Sequence, residues 1–119
     1  MALVNAAKYF GFTFKGRDED SNIIVDVKGN EKKYTLLNVI EFTSTRKRMT
    51  VVVKDPEGRI RVMCKGADSI IIPRLKANSQ LLEQTNYFLE NFAKEGLRTL
   101  ILAEKDITQE FWMRWNRKF

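Results

Sequence analysis

Histidine is absent from this sequence of 119 residues, and cysteine occurs only once, as Cys64. Without histidine, the chain can form neither a Ser-His nor a Cys-His nucleophile pair, and a zinc site built from cysteine and histidine is excluded as well. A single cysteine also rules out a disulfide bond within the chain, which favours a reducing, cytosolic setting.

Long apolar runs are missing too, since no segment approaches the ~20 residues that a membrane-spanning helix needs. The first residues do not have the layout of a signal peptide. The sequence contains neither a Gly-x-x-x-x-Gly-Lys-Ser/Thr loop nor a Gly-x-Gly-x-x-Gly fingerprint. The acidic run at residues 18–20 does not have the spacing of an EF-hand and is expected to be a solvated turn.

The composition is that of a soluble globular protein, with 44% apolar and 30% charged residues. The length fits one domain, residues 1–119. Lysine and arginine number 21 against 15 acidic residues, which leaves a net charge of +6. This excess permits binding to nucleic acid, acidic lipid or nucleotide, and does not choose among them.

The apolar patterning predicts an α+β fold, in which about six antiparallel strands are flanked by helices. Strands are predicted at residues 12–15, 23–27, 33–42, 48–54, 60–64 and 97–103, and helices at 2–10, 68–72, 79–95 and 107–119. Residues 16–20, 28–31 and 55–58 are predicted turns, and 76–79 a loop. Asp106 and Gln109 have the spacing of a capping box before the last helix.

The last predicted helix presents an aromatic face formed by Trp112, Trp115 and Phe119, with basic residues around it. Such a face could lie on a membrane surface. We expect it to pack on the sheet instead.

Residues 41–53 place Phe42 and three hydroxyl residues directly before Arg46, Lys47 and Arg48. An aromatic ring can stack on a base, and cations and hydroxyls can hold phosphate or ribose. Taken alone, the segment is explained more simply as a basic bend between two strands. In the nucleotide interpretation, Arg46 and Arg48 are expected to be no more than solvated charges.

Two further positions suggest a ligand site. Lys65 and Gly66 end a predicted strand, and glycine allows a ligand to approach the backbone closely. Taken alone, this pair is explained more simply as a plain turn with a solvated lysine. Arg98 lies within an otherwise apolar segment that is predicted to be a buried strand, and a buried arginine needs an acceptor. Asp68 or Glu41 could be a structural acceptor, and a phosphate or ribose a functional one.

The basic residues offer a second interpretation, a small nucleic-acid-binding module. Its candidate residues are Arg46, Lys47, Arg48, Arg59 and Arg61. Only one nearby ring would support stacking, and the sequence contains no RNA-binding aromatic signature. A third interpretation is a scaffold domain that has lost its ligand.

Three segments together resemble the nucleotide-binding domain of P-type ATPases, and their sequences are similar to those of the phospholipid-flippase branch. They are Glu-Phe-Thr-Ser-Thr-Arg-Lys-Arg-Met-Thr-Val at 41–51, Lys-Gly-Ala-Asp at 65–68 and Phe-Ala-Lys-Glu-Gly-Leu-Arg-Thr-Leu at 92–100. The segments occur in the family's order and at suitable spacings, and the resemblance covers nearly the whole chain. Each motif is weak alone, but the combination is specific.

The resemblance implies that the chain binds ATP, and it carries roles over to five residues. The family's adenine-stacking phenylalanine falls on Phe42, and a serine near the nucleotide falls on Ser44. The lysine that lines the adenine pocket falls on Lys65, and the arginine that reaches ribose and phosphate falls on Arg98. Lys47 matches a basic position near the phosphates. No catalytic or metal-binding residue is implied, and Mg²⁺ is expected to accompany the phosphates.

The resemblance also implies that the chain is a fragment of a larger membrane ATPase, as a cytosolic domain of an integral membrane protein. Its partners would be the phosphorylation and actuator domains of the same polypeptide, with no nucleic acid and with membrane contact only through other parts. In that family, ATP phosphorylates an aspartate in an Asp-Lys-Thr-Gly motif, which this sequence lacks. We therefore expect this chain to bind ATP without turning it over, while the full protein is an ATP-driven phospholipid flippase.

Overall fold

A computed structural model describes residues 2–76 and 81–119. Its elements are α1 (Ala2–Tyr9), β1 (Phe12–Arg17), β2 (Ile23–Val27), β3 (Asn30–Ile40), β4 (Arg48–Lys54), β5 (Ile60–Gly66), α2 (Asp68–Ile71), a 3-10 turn (Ile72–Arg74), α3 (Leu82–Lys94), β6 (Ile101–Ile107) and α4 (Gln109–Asn116). Within these ranges the strands form one six-stranded sheet in the order β1-β2-β3-β4-β5-β6. The predicted α+β fold, an antiparallel sheet flanked by helices, is confirmed.

The described residues form two compact units. The first unit comprises Met1–Val39, Val51–Val62 and Lys105–Phe119, and the second comprises Ile40–Thr50 and Met63–Glu104. The assignment of residues 1–119 to a single domain stays a prediction.

In the first unit, β1 pairs antiparallel with β2, and β2 with β3. The register of β1 shifts between Phe14 and Gly16, which is the signature of a bulge. Pairing then resumes as far as Arg17, opposite Ile23. The prediction that the turn begins at Gly16 is therefore wrong by two residues, because the bulge carries the strand past the glycine.

Asp55 organises the predicted turn between β4 and β5. Its side chain is only 2% exposed, and its Oδ1 accepts hydrogen bonds from the backbone N–H groups of Glu57 (3.0 Å) and Arg59 (2.8 Å). Burial raises the pKa of this carboxyl, but the hydrogen bonds from the Arg59 backbone and side chain, the Arg59 charge and the Glu57 N–H together lower the pKa overall. The turn is thus held by a buried, ionised carboxylate.

The last helix, α4, packs on β3 through a chain of side-chain hydrogen bonds. Trp112 Nε1 donates to Asn38 Oδ1 (2.7 Å), and Asn38 Nδ2 donates to Asn116 Oδ1 (2.9 Å). Trp115 and Phe119 contact each other, with ring centroids 4.9 Å apart. The expected packing of this aromatic face on the sheet is therefore confirmed for Trp112, whereas Phe119 is exposed.

The predicted capping box at the start of α4 is wrong. The N-cap is Thr108, whose Oγ1 accepts a hydrogen bond from Phe111 N at 3.0 Å. Asp106 lies in β6, because that strand continues to Ile107 before the helix begins.

In the second unit, the long helix α3 begins at Leu82 and ends near Gly96, as the glycine predicts. Gly96 has a φ of +77°, and Leu97 N donates to Phe92 O at 3.0 Å, a bond that closes the helix end. The predicted helix start at Ser79 lies outside the described residues, as does the predicted loop after Lys76.

The predicted strand at residues 97–103 is displaced by four residues, since β6 begins at Ile101. The physical reason is that Leu97 N is used to close α3, so the chain is still leaving the helix where a strand was expected. The segment is not buried either, because Leu97, Arg98 and Leu100 are exposed.

Few hydrophobic side chains are fully buried in the part of the chain that the structure describes. Val52, Val53 and Ile60 are buried in the first unit, and Ile71 in the second. No helix in the described ranges has both the length and the apolar character to cross a membrane.

Candidate functional site

The residues 41–47, here called the Phe42 loop, connect β3 to β4 and belong to the second unit. The Phe42 side chain is 60% exposed. Thr43, Ser44 and Lys47 are exposed as well. The loop therefore offers an open aromatic ring with hydroxyl and ammonium groups on the same short segment.

A tight turn shapes the tip of the Phe42 loop. Lys47 N donates to Thr43 O at 2.7 Å, and Arg46 N donates to Thr43 Oγ1 at 3.0 Å. Threonine hydroxyls commonly stabilise turns in this way. Lys47 has a left-handed φ of +55°, which turns the chain into β4.

Arg46 is a candidate for the nucleotide site that the sequence reasoning did not include among the ATP-binding residues. Its guanidinium donates to the carbonyl oxygens of Glu41 (2.9 Å), Arg48 (3.1 Å) and Ile40 (3.4 Å). It also donates to Thr50 Oγ1 at 3.3 Å. The expectation of a solvated Arg46 is wrong, because the side chain is half-buried and bonded to its own loop. No local sequence signal identifies carbonyl acceptors that only folding brings together.

Gly66 explains how the Phe42 loop meets the end of β5. Ala67 N donates to Lys47 O at 3.4 Å. A Cβ atom on Gly66 would lie 2.7 Å from Lys47 O and 2.8 Å from Arg48 Cβ. The close approach that this glycine allows is therefore made by the chain's own loop. Lys65, an exposed residue that precedes Gly66 at the same strand end, is thereby brought near Lys47.

Arg98 differs from its prediction. Its side chain is exposed, and no hydrogen bond or ion pair of it is found within residues 2–76 and 81–119. Neither Glu41 nor Asp68 pairs with it. The prediction of a buried arginine is wrong because the segment around it is not a buried strand. Described contacts join the loop of Phe42, Ser44 and Lys47 to the Lys65 segment, and none joins Arg98 to them.

The charge around the Phe42 loop is positive. Arg46, Lys47, Arg48 and Lys65 outnumber Glu41 and Asp68. Such an excess attracts anions. Across the described residues, no group of three or more histidine, cysteine, aspartate or glutamate side chains could hold a metal ion. A role for Mg²⁺ carried in with nucleotide phosphates stays a prediction.

An apolar groove of about 430 Å³ also lies in the second unit, along α3 and the segment before β6. It is lined by Thr85, Phe88, Leu89, Phe92, Thr99, Leu100 and Ile101. None of the residues predicted to contact nucleotide lines this groove. Its lining suits an apolar group and offers no cation for a phosphate.

The nucleic-acid interpretation depended on basic side chains that are largely bonded within the chain. Arg48 Nη1 donates to Arg46 O at 3.0 Å. Arg59 Nε lies 3.0 Å from Asp55 Oδ2. Arg61 Nε lies 3.5 Å from the same oxygen and 3.3 Å from Asp106 Oδ1, although its N–H is not aligned for a hydrogen bond with either. These contacts leave fewer free cations for a polyanion.

Comparison with known proteins agrees with the resemblance drawn from the three segments. Residues 1–117 match the family described as "P-type ATPase, cytoplasmic domain N". The chain is 44% identical to phospholipid-transporting ATPase IC of Xenopus tropicalis, over 99% of its own length and 9% of the relative. It is 46% identical to phospholipid-transporting ATPase ID of Mus musculus, over 98% of its length and 10% of the relative.

The human phospholipid-transporting ATPase ID is 47% identical over 96% of this chain and 9% of its own length. The chain thus spans about a tenth of the length of the curated relatives that it matches. The match extends over almost every residue, including the Phe42 loop, the Lys65 segment and the Arg98 segment. The chain therefore belongs to the P-type ATPase family, as its cytoplasmic domain N.

Proposed function

We propose that this chain binds ATP with the adenine ring stacked on Phe42. Ser44 and Lys65 would line the nucleotide site, and Lys47 and Arg98 would approach the phosphates and ribose. The observation that supports this most strongly is the exposed Phe42 ring, on a loop that is hydrogen-bonded to the strand end carrying Lys65.

The chemistry of these groups favours a moderate affinity. Base–aromatic stacking contributes about 1–3 kcal/mol, and ammonium and guanidinium groups add charge-assisted hydrogen bonds to phosphate. Because Arg98 is exposed, its guanidinium is accessible to ribose and phosphate. Together these contacts correspond to a dissociation constant of about 0.1–1 mM.

The full-length polypeptide is proposed to use this ATP for phospholipid transport, as the names of the relatives suggest. The domain would present the terminal phosphate to an aspartate of a phosphorylation domain in the same polypeptide. The actuator and membrane parts would also come from the rest of that polypeptide, and this domain would lie on the cytosolic side. Mg²⁺ would reach the site with the nucleotide phosphates.

An NMR titration with Mg–ATP tests the proposed site. We expect amide shifts at Phe42, Ser44, Lys47, Lys65 and Arg98. The substitution Phe42→Ala should weaken binding by about 5- to 160-fold, which is the loss of stacking expressed as an affinity ratio. Tyr87→Ala is the matched control, because Tyr87 is an exposed ring of similar accessibility on α3.

Three results would overturn the proposal. Oligonucleotide binding through residues 46–48 without any response to mononucleotide would favour the nucleic-acid module. ATP binding that is unchanged in Phe42→Ala would mean that the nucleotide binds at another place, such as the groove beside Phe88 and Phe92. Absence of any nucleotide response would support a scaffold domain without a ligand.

A further inference from the structure

We propose that Arg46 is a positioning residue of the nucleotide site, which holds the Phe42 loop in the conformation that accepts adenine. The inference rests on the proposed function, since it gives Arg46 a role in the same site. The Arg46 side chain would act by its hydrogen bonds to the loop, and direct contact with a phosphate is not part of this role.

Both neighbours of Phe42 are bonded to Arg46. The guanidinium Nη1 donates to Glu41 O at 2.9 Å, and the Arg46 backbone N–H donates to Thr43 Oγ1 at 3.0 Å. The Arg46 guanidinium thus holds the residue before Phe42, and the backbone N–H of residue 46 holds the side chain of the residue after it. The direction in which the ring leaves the loop depends on that restraint.

The guanidinium also joins the two ends of the loop. Its Nη1 donates to the carbonyl oxygen of Ile40, the last residue of β3, at 3.4 Å. The same nitrogen donates to the carbonyl oxygen of Arg48, the first residue of β4, at 3.1 Å. Its Nη2 donates to Thr50 Oγ1 at 3.3 Å, and that hydroxyl donates to Cys64 Sγ of β5 at 3.3 Å. The base of the loop is therefore connected to two neighbouring strands.

A planar guanidinium suits this position because it has several N–H donors in a fixed arrangement. A lysine at residue 46 would keep the charge but could not span the same acceptors. The consequence for binding is a change in the fraction of molecules with a competent loop. If that fraction fell to about one-tenth, the apparent dissociation constant would rise about tenfold for any ligand that stacks on Phe42.

The test titrates the wild-type chain, Arg46→Gln and Arg46→Lys with adenosine and with Mg–ATP by NMR. We expect both variants to weaken both ligands by a similar factor of about ten, because the loss acts through Phe42. Arg74→Gln is the matched control, since Arg74 Nη1 donates to a backbone carbonyl, Ile70 O at 2.7 Å, away from the loop. It should bind both ligands as the wild type does.

Two further variants separate positioning from a general loss of structure. Thr43→Val removes the hydroxyl acceptor of the Arg46 N–H and leaves the arginine in place, so it should weaken both ligands by a smaller, equal factor. The double variant Phe42→Ala/Arg46→Gln should bind no more weakly than Phe42→Ala alone, because residues that act through one another are not additive. A merely structural role for Arg46 would add its loss to that of Phe42→Ala.

Unchanged binding of both ligands in the Arg46 variants and in Thr43→Val would overturn the inference and leave the proposed function standing. A loss confined to ATP and restored by Arg46→Lys would also overturn it, because it would mean direct contact with phosphate. If the wild-type chain responds to neither ligand, the proposed function fails and the role of Arg46 fails with it.

Discussion

At the scale of single residues, Gly66 sets how closely the Phe42 loop approaches β5. The atoms that a side chain would meet are the carbonyl oxygen of Lys47 and the backbone and Cβ of Arg48. None of these is the free end of a flexible side chain. The backbone itself would have to move to admit a methyl group.

We therefore expect Gly66→Ala to destabilise the fold by about 1–3 kcal/mol, which is the usual cost of overpacking. Urea unfolding measures the loss, and the amide signals of residues 46–48 should shift. Ser69→Ala, at an exposed position shortly after the motif, is the control. Unaltered stability and unaltered loop signals in Gly66→Ala would contradict the close approach.

Asp18 forms an ion pair in the turn before β2, with its Oδ2 3.0 Å from Lys33 Nζ. The Lys33 ammonium, followed by the backbone N–H of Asn22, lowers the pKa of Asp18 from 3.8 to about 2. A carboxyl whose pKa is lower in the folded chain stabilises the fold above its unfolded pKa, and this contribution is lost as the pH falls through the folded value.

Asp18→Asn should therefore lower the Tm at pH 7, and the difference from the wild type should narrow as the pH falls from about 5 towards the folded pKa. Because the pair is at the surface, the expected change is small, at most a few degrees. Thermal unfolding followed by circular dichroism at several pH values measures it. A Tm difference between Asp18→Asn and the wild type that stays constant down to pH 3 would exclude the ionised Asp18 carboxylate as the cause of that difference.

Some residues of the proposed site could be predicted from the sequence and others could not. Phe42 and Lys65 could be predicted as nucleotide-binding candidates because a phenylalanine and a strand-end lysine match the family pattern. Arg46 could not be selected, since its acceptors are mostly carbonyl oxygens that become neighbours only in the folded loop. Arg98 was expected to be buried because apolar residues surround it in sequence, but Leu97 and Leu100 are themselves exposed.

At the scale of elements, α4 depends on a cap that the sequence pattern did not identify. Thr108→Ala should cost about 1 kcal/mol, because the Phe111 N–H loses its acceptor at the helix start. Denaturant unfolding measures this loss. Thr108→Ser keeps a hydroxyl and should retain most of the stability, whereas equal stability of Thr108→Ala and the wild type would exclude capping by this side chain.

The strands differ in how well their bounds could be predicted. Those of β2 and β4 match the prediction, because β-branched residues fill both strands and turn residues flank them. The start of β6 was missed because a tertiary demand, the closing of α3 by Leu97 N, takes up the residues before it. The end of β5 was placed two residues early because Gly66 reads as a strand breaker, although here it serves close packing.

At the scale of the whole molecule, fold class and family could be predicted because they depend on patterns spread along the chain. Alternating apolar residues predicted the sheet, and three separated segments together indicated domain N of a P-type ATPase. The contacts that assemble the site could not be predicted, since most of them use backbone groups whose positions are set only by folding, either within the Phe42 loop or between it and the end of β5.

A further expectation concerns turnover. The isolated chain should release no phosphate from Mg–ATP, because it lacks the Asp-Lys-Thr-Gly motif whose aspartate would accept the phosphoryl group. A coupled phosphate-release assay at saturating ATP measures this. Phosphate release that scales with protein concentration and is unchanged through successive purification steps would contradict the proposal that this domain binds ATP while another domain of the polypeptide accepts the phosphoryl group.

The central claim is that adenine stacks on Phe42, and its most direct measurement is an isotope-filtered nuclear Overhauser experiment on the chain saturated with Mg–ATP. We expect cross-peaks from adenine H2 and H8 to the ring protons of Phe42. The rings of Phe88 and Phe92, in the apolar groove of the same unit, are internal controls. Cross-peaks to those rings in place of Phe42, with ATP demonstrably bound, would contradict the claim.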